Sequence, residues 1–182
     1  MSKIILKTIG YSIIPAALIV TVKFLSIFAL ISIKGIDFSL HSTLSGLFSV
    51  EILFKTEQDA IFVNSISNLI VFLVIGLNTL YLIFKKSIFK SALESPRTIV
   101  KLTKLNLLGW ISKDKTDFFK IIIWTLFTWI ITGLIISQSL SMINYMWIGI
   151  LSGTVSLLSA ILLLNVYENE ANRIYPDNNK LY

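Results

Sequence analysis

The sequence predicts an all-α integral membrane protein: four transmembrane helices in a bundle, one cytoplasmic amphipathic helix, and an interfacial or re-entrant outer segment. Three observations carry this reading. The 182 residues are 55% hydrophobic and 14% charged, whereas soluble domains are about 25% charged. Mean hydropathy is +0.81, and four apolar runs reach the roughly 20 residues a helix needs to cross hydrocarbon. The Lys and Arg residues are distributed unevenly between those runs.

The whole chain, 1–182, reads as a single transmembrane domain. The first span covers about 9–33 (IGYSIIPAALIVTVKFLSIFALISI). It is too long for the apolar core of a secretory signal peptide and shows no small-residue cleavage site, so it is read as retained. The second covers about 61–84 (IFVNSISNLIVFLVIGLNTLYLIF), the third 118–137 (FFKIIIWTLFTWIITGLIIS) and the fourth 143–167 (INYMWIGILSGTVSLLSAILLLNVY).

Orientation follows from the positive residues in the loops, because Lys and Arg stay on the cytoplasmic side. Of the sixteen, nine lie in the stretch 85–120: Lys85, Lys86, Lys90, Arg97, Lys101, Lys104, Lys113, Lys115 and Lys120. Lys3 and Lys7 precede the first span, and Arg173 and Lys180 follow the last. The opposite side has Lys34 and Lys55, set against Asp37, Glu51, Glu57 and Asp59. Both termini and the middle loop are therefore expected on the cytoplasmic side of a cell membrane, or the matrix side of an organellar inner membrane. Tyr11, Tyr81, Trp124 and Tyr167 then fall near the inner interface, and Tyr145 and Trp147 near the outer one.

The two longer loops are more than linkers. After Pro96, residues 97–112 have helical spacing, with Arg97, Lys101 and Lys104 on one narrow face and Ile99, Leu102, Leu105, Leu107 and Trp110 over the rest. Such a helix lies in the headgroup region with its cations on anionic lipid, each contributing about 1 kcal/mol. The net charge of +6 is thereby explained by topology and lipid. No nucleic-acid partner is predicted, because no reader motif accompanies the charge. The outer segment, about 38–54, is unusually apolar yet short for a span and contains His41 and Glu51.

One residue stands out within the spans. Lys23 lies near the middle of the first, where a lysine costs about 2.5–3.5 kcal/mol on insertion scales and marks a candidate functional site. Ser12, Ala16 and Ser26 share its helical face. No Asp or Glu lies inside any predicted span, so Lys23 has no intramembrane carboxylate of its own. Depth counting from the outer ends places Asn68, Thr132 and Gly153 near it. The second span aligns Asn64, Ser67, Asn68, Asn78 and Thr79; the third aligns Thr125, Thr128 and Thr132. Lys23, Asn64, Asn68 and Thr132 are therefore the expected intramembrane polar site. On the fourth span Gly149, Gly153, Ser156 and Ala160 form a small-residue stripe, the usual means of close helix packing in membranes.

Enzyme chemistry finds little footing. No catalytic residue, metal site or cofactor is assigned. There is no cysteine, and His41 is the only histidine, so thiolate sites and multi-histidine metal sites within one chain are excluded. No phosphate-binding or dinucleotide motif is present. The sequence therefore points to a non-catalytic accessory, assembly or immunity-type subunit acting by helix–helix contact, with a membrane-protein partner or a second copy of the chain. The alternative is a channel or transporter component with a polar path near Lys23. A lipid-facing enzyme would have to bring Lys23, Glu51 and His41 together.

Overall fold

The computed structural model describes residues 3–42, 50–94 and 116–174. Helix α1 spans Lys3–Lys34, strand β1 Phe38–Ser42, strand β2 Val50–Phe54, α2 Glu57–Glu94, α3 Thr116–Leu140 and α4 Met146–Ile174. The four helices are each long and apolar enough to cross a membrane, over Thr8–Lys34, Glu57–Lys86, Phe119–Leu140 and Met146–Glu168. They form the bundle expected from the four runs. Residues 97–112, with Arg97, Lys101 and Lys104, lie outside the described residues.

Three helix ends on the hairpin side have a local cause. Gly35, at φ +62°, follows α1 in the left-handed conformation that glycine adopts without steric cost. The Ile36 N–H then closes back on the Ile31 carbonyl at 3.1 Å, the Schellman pattern. Helix α2 starts on a cap: Thr56 Oγ1 accepts from the Asp59 N–H at 3.1 Å and donates to the Asp59 carboxylate at 2.6 Å. Glu57 and Asp59 place negative charge in that first turn, where the helix dipole favours it. Helix α3 ends on a second Schellman turn, with Ile143 N–H on the Gln138 carbonyl at 3.0 Å. Here Met142 takes the left-handed position at φ 59°.

The outer segment corrects the expectation of an all-helical chain. Its two described arms form an antiparallel hairpin, in register Phe38↔Phe54, Leu40↔Ile52 and Ser42↔Val50. The physical reason is the period of two in Phe-Ser-Leu-His-Ser, which suits a pleated strand and gives a helix no coherent face.

Two buried apolar clusters run through the bundle. The larger joins Val71, Phe72 and Ile75 of α2 to Ile131 and Ile135 of α3 and Ile148 of α4. The smaller, toward the chain termini, joins Ile83, Ile121 and Val166. Helix α1 contributes Leu18, Ile19 and Val22 only at the margin of the larger cluster, and Phe24, Leu25 and Phe28 are exposed. Lysines hold α1 at three levels. Lys34 Nζ stacks over the Phe62 ring at 4.9 Å, and Lys120 Nζ lies over the Tyr11 ring at 5.4 Å. Between them is Lys23.

Candidate functional site: an intramembrane ammonium

The Lys23 side chain crosses from α1 to α2 and ends among neutral oxygens. Its Nζ donates to Asn68 Oδ1 at 2.6 Å, Ser67 Oγ at 2.8 Å and Asn64 Oδ1 at 3.0 Å. The Asn64 carbonyl oxygen lies further out, at 3.4 Å. Three side-chain acceptors thus match the three hydrogens of a protonated amine. Asn64, Ser67 and Asn68 converge because positions i, i+3 and i+4 share one helical face.

The ammonium fixes the amide orientations around it. With both Oδ1 atoms turned to Lys23, both NH₂ groups face α3, where Gln138 Oε1 accepts from Asn68 Nδ2 at 2.7 Å and from Asn64 Nδ2 at 3.3 Å. Asn64 Nδ2 also reaches the Ile143 carbonyl oxygen at 3.2 Å. The network therefore runs from Lys23 through α2 and α3 to the α3–α4 turn, at the hairpin end of the bundle. Its hydrogen bonds are part-buried from Lys23 to Gln138 and exposed at the Ile143 carbonyl oxygen. Each amide is oriented with its oxygen toward the charge, so the site solvates a cation without neutralising it.

Three of the four residues expected in this site meet there: Lys23, Asn64 and Asn68. Thr132 does not. Its hydroxyl donates to the Thr128 carbonyl at 2.8 Å and pairs with Ser156 Oγ at 2.7 Å, where α3 meets α4. Depth counting placed Thr132 level with Lys23, but depth does not fix azimuth. Six residues of helix turn Thr132 about 120° away from Gln138. Gln138 takes the α3 position instead. It stands one residue past the predicted end of the third span, while the helix continues to Leu140. A lone amide at the edge of an apolar run is the signal that could have found it. Ser67 was legible as part of the α2 polar face.

The other polar faces serve packing. The hydroxyls of Thr125, Thr128 and Thr132 each donate to the carbonyl four residues earlier. Thr79 and Thr128 pair across α2 and α3 at 2.8 Å. Asn78 Nδ2 donates to its own helix, at the Val74 carbonyl. On α4, a Cβ added at Gly149 would stand 2.8 Å from Ser139 Oγ and 3.0 Å from its Cβ. Gly153 faces Ile136 Cδ1 at an ordinary 3.6 Å. Ser156 holds Thr132, and Ala160 is half-buried. Lys23 also stays apart from the hairpin: eleven residues of α1, about 16 Å of helix, separate it from Lys34, with the strands beyond. No group of three or more His, Cys, Asp and Glu side chains able to hold a metal occurs among the described residues.

Compared with protein-family models, with curated proteins and with solved structures, the chain shows no match.

Proposed function

We propose that this chain is a non-catalytic membrane subunit, of accessory, assembly or immunity type, acting through helix–helix contacts within the bilayer. The observation that carries the reading is the Lys23 site. A charge set among neutral oxygens, in a chain whose four apolar runs 9–33, 61–84, 118–137 and 143–167 contain no Asp or Glu, is stabilised further by an anionic group from outside. A carboxylate on a partner helix is the simplest such group. Its place is beside the network, near Gln138, because the hydrogens of Lys23 are already taken. The loose seating of α1, with most of its apolar surface uncovered, leaves room for a neighbouring helix.

On this reading both termini and the middle loop face the cytoplasm or matrix, supported by the uneven Lys and Arg distribution. Residues 97–112 then lie as an amphipathic helix on anionic headgroups, and segment 38–54 lies at the opposite interface.

A channel or transporter component is the second reading. It is favoured by the continuity of the polar network from Lys23 to the Ile143 carbonyl. It is weakened by the hydroxyl faces of α3 and α4, whose hydroxyls are engaged with their own backbone or, for Thr132 and Ser156, with each other.

The test is co-purification in mild detergent from native membranes, comparing wild type, Lys23→Met and Gln138→Glu. Gln138→Glu supplies the missing carboxylate within the chain and keeps the network. A stoichiometric partner recovered with wild type and lost with folded Gln138→Glu supports the subunit reading. Equal recovery with both variants overturns it. A homo-oligomer alone, with anion flux in liposomes altered by Lys23→Met, decides for the second.

A further inference from the structure

The hairpin between α1 and α2 has two unlike faces. Directly opposed residues in an antiparallel pair project to the same side of the sheet. The register therefore puts Phe38, Leu40 and Ser42 with Phe54, Ile52 and Val50 on one face, five of the six apolar. The other face carries Ser39 with Leu53 and His41 with Glu51, where Leu53 is the exception. Phe38 and Leu40 are 40% and 55% exposed, so the helices leave much of the apolar face uncovered.

A two-stranded hairpin is marginal at best when it stands alone in water, and it needs a cover for its apolar face. Its position indicates the cover. β1 begins four residues after α1 ends at Lys34, and β2 ends three residues before α2 begins at Glu57. Ile33, at the last turn of α1, is 81% exposed, so the apolar flank of α1 leads directly into Phe38. At the hairpin neck, Lys55 Nζ pairs with Asp37 Oδ2 at 2.6 Å with both side chains exposed. Exposed Trp147 and half-exposed Tyr145 lie at the same end of the bundle, as aromatics do at a headgroup boundary.

We infer that the β1–β2 hairpin lies flat on the bilayer surface at this end. Its Phe38–Leu40–Ile52–Phe54 face is sunk into the boundary between headgroups and acyl chains. Its other face, at Ser39, is turned to water. The occupant of the apolar face is lipid, and the hairpin acts as a surface anchor between the first two spans. The inference needs the helices to span the bilayer, and it is independent of what Lys23 meets.

The absence of cysteine from the sequence makes the test direct. Leu40→Cys and Phe38→Cys, on the apolar face, and Ser39→Cys, on the other, are spin-labelled one at a time. The full-length protein is reconstituted into phosphatidylcholine–phosphatidylglycerol vesicles. Collision with oxygen, which concentrates in lipid, is compared with collision with a water-soluble nickel chelate. The expected result is oxygen-dominated collision at positions 38 and 40, a several-fold reversal at 39, and unchanged helix content. Nickel-dominated collision at all three positions would show a hairpin standing in water. Shielding of 38 and 40 from both probes would show cover by protein, either a second copy or a partner. Either outcome overturns the inference.

Discussion

Lys23 Nζ lies 2.6 Å from Asn68 Oδ1, and Asn68 Nδ2 lies 2.7 Å from Gln138 Oε1. One asparagine thus joins the charge on α1 to an amide on α3. Helix α1, which adds little to the buried clusters, packs on α2 and is tied to the bundle by this polar contact and the two cation–π pairs. Lys23→Met removes the donor and leaves the oxygens of Asn64, Ser67 and Asn68 facing a methyl group. The folded bundle is expected to lose about 1–3 kcal/mol, read as a lower unfolding midpoint in detergent. Insertion of the first span improves at the same time, because a costly charge is gone.

Gln138→Glu is expected to act in the opposite direction. Its carboxylate accepts the same two amide NH₂ groups with charge-assisted bonds, about twice as strong as neutral ones, and it faces the uncompensated Lys23. The unfolding midpoint should rise at neutral pH. The gain should disappear in the Lys23→Met background, where the new carboxylate has no counter-charge. A double-mutant cycle measures that coupling.

The Thr132–Ser156 hydroxyl pair joins α3 to α4 away from Lys23. Thr132→Val and Ser156→Ala should each destabilise the bundle by about 1 kcal/mol, with a coupling near 0.6 kcal/mol, the average for hydrogen bonds between membrane helices. Neither should change anything that depends on Lys23.

Gly149 and Gly153 should separate sharply although they form one sequence pattern. Gly149→Ala drives a methyl group into Ser139 and should cost about 1–3 kcal/mol as overpacking, relieved by Ser139→Gly. Gly153→Ala meets only the flexible end of Ile136 and should leave the unfolding midpoint unchanged.

The Asp37–Lys55 pair carries the pH response at the hairpin neck. Hydrogen bonding and charge from Lys55 hold the Asp37 carboxyl below its ordinary value of 3.8. A depressed carboxylate adds stability above its unfolded-state value and loses it as pH falls through the folded one. The pair's small contribution should therefore be constant at neutral pH and vanish only in strong acid. Lys55→Met should raise the Asp37 titration midpoint toward the ordinary value, as followed by carbon NMR of the carboxyl in micelles.

Much of this molecule was legible in the chain. Four apolar runs of membrane length specify four helices, because a backbone in hydrocarbon must satisfy its own hydrogen bonds. Lys23 stood out because it is the one charge near the middle of a predicted span, Lys120 lying only two residues inside the third, and Asn64 and Asn68 because they share one helical face. The hairpin was hidden by composition: an apolar loop looks the same whether it is folded as strands or as a short helix, until alternation is weighed against length.

The sequence by itself determined which segments are long and apolar enough to cross a membrane and that Lys23 has no carboxylate within the predicted apolar runs. Those are properties of composition and local periodicity, and they need no partner in space. Only the tertiary structure decided that Gln138 and not Thr132 completes the site, and that Gly149 and not Gly153 is the close approach. Both depend on how far each helix is rotated about its axis against its neighbour. That rotation is set by side-chain packing between helices distant in the chain, and no count along one helix contains it.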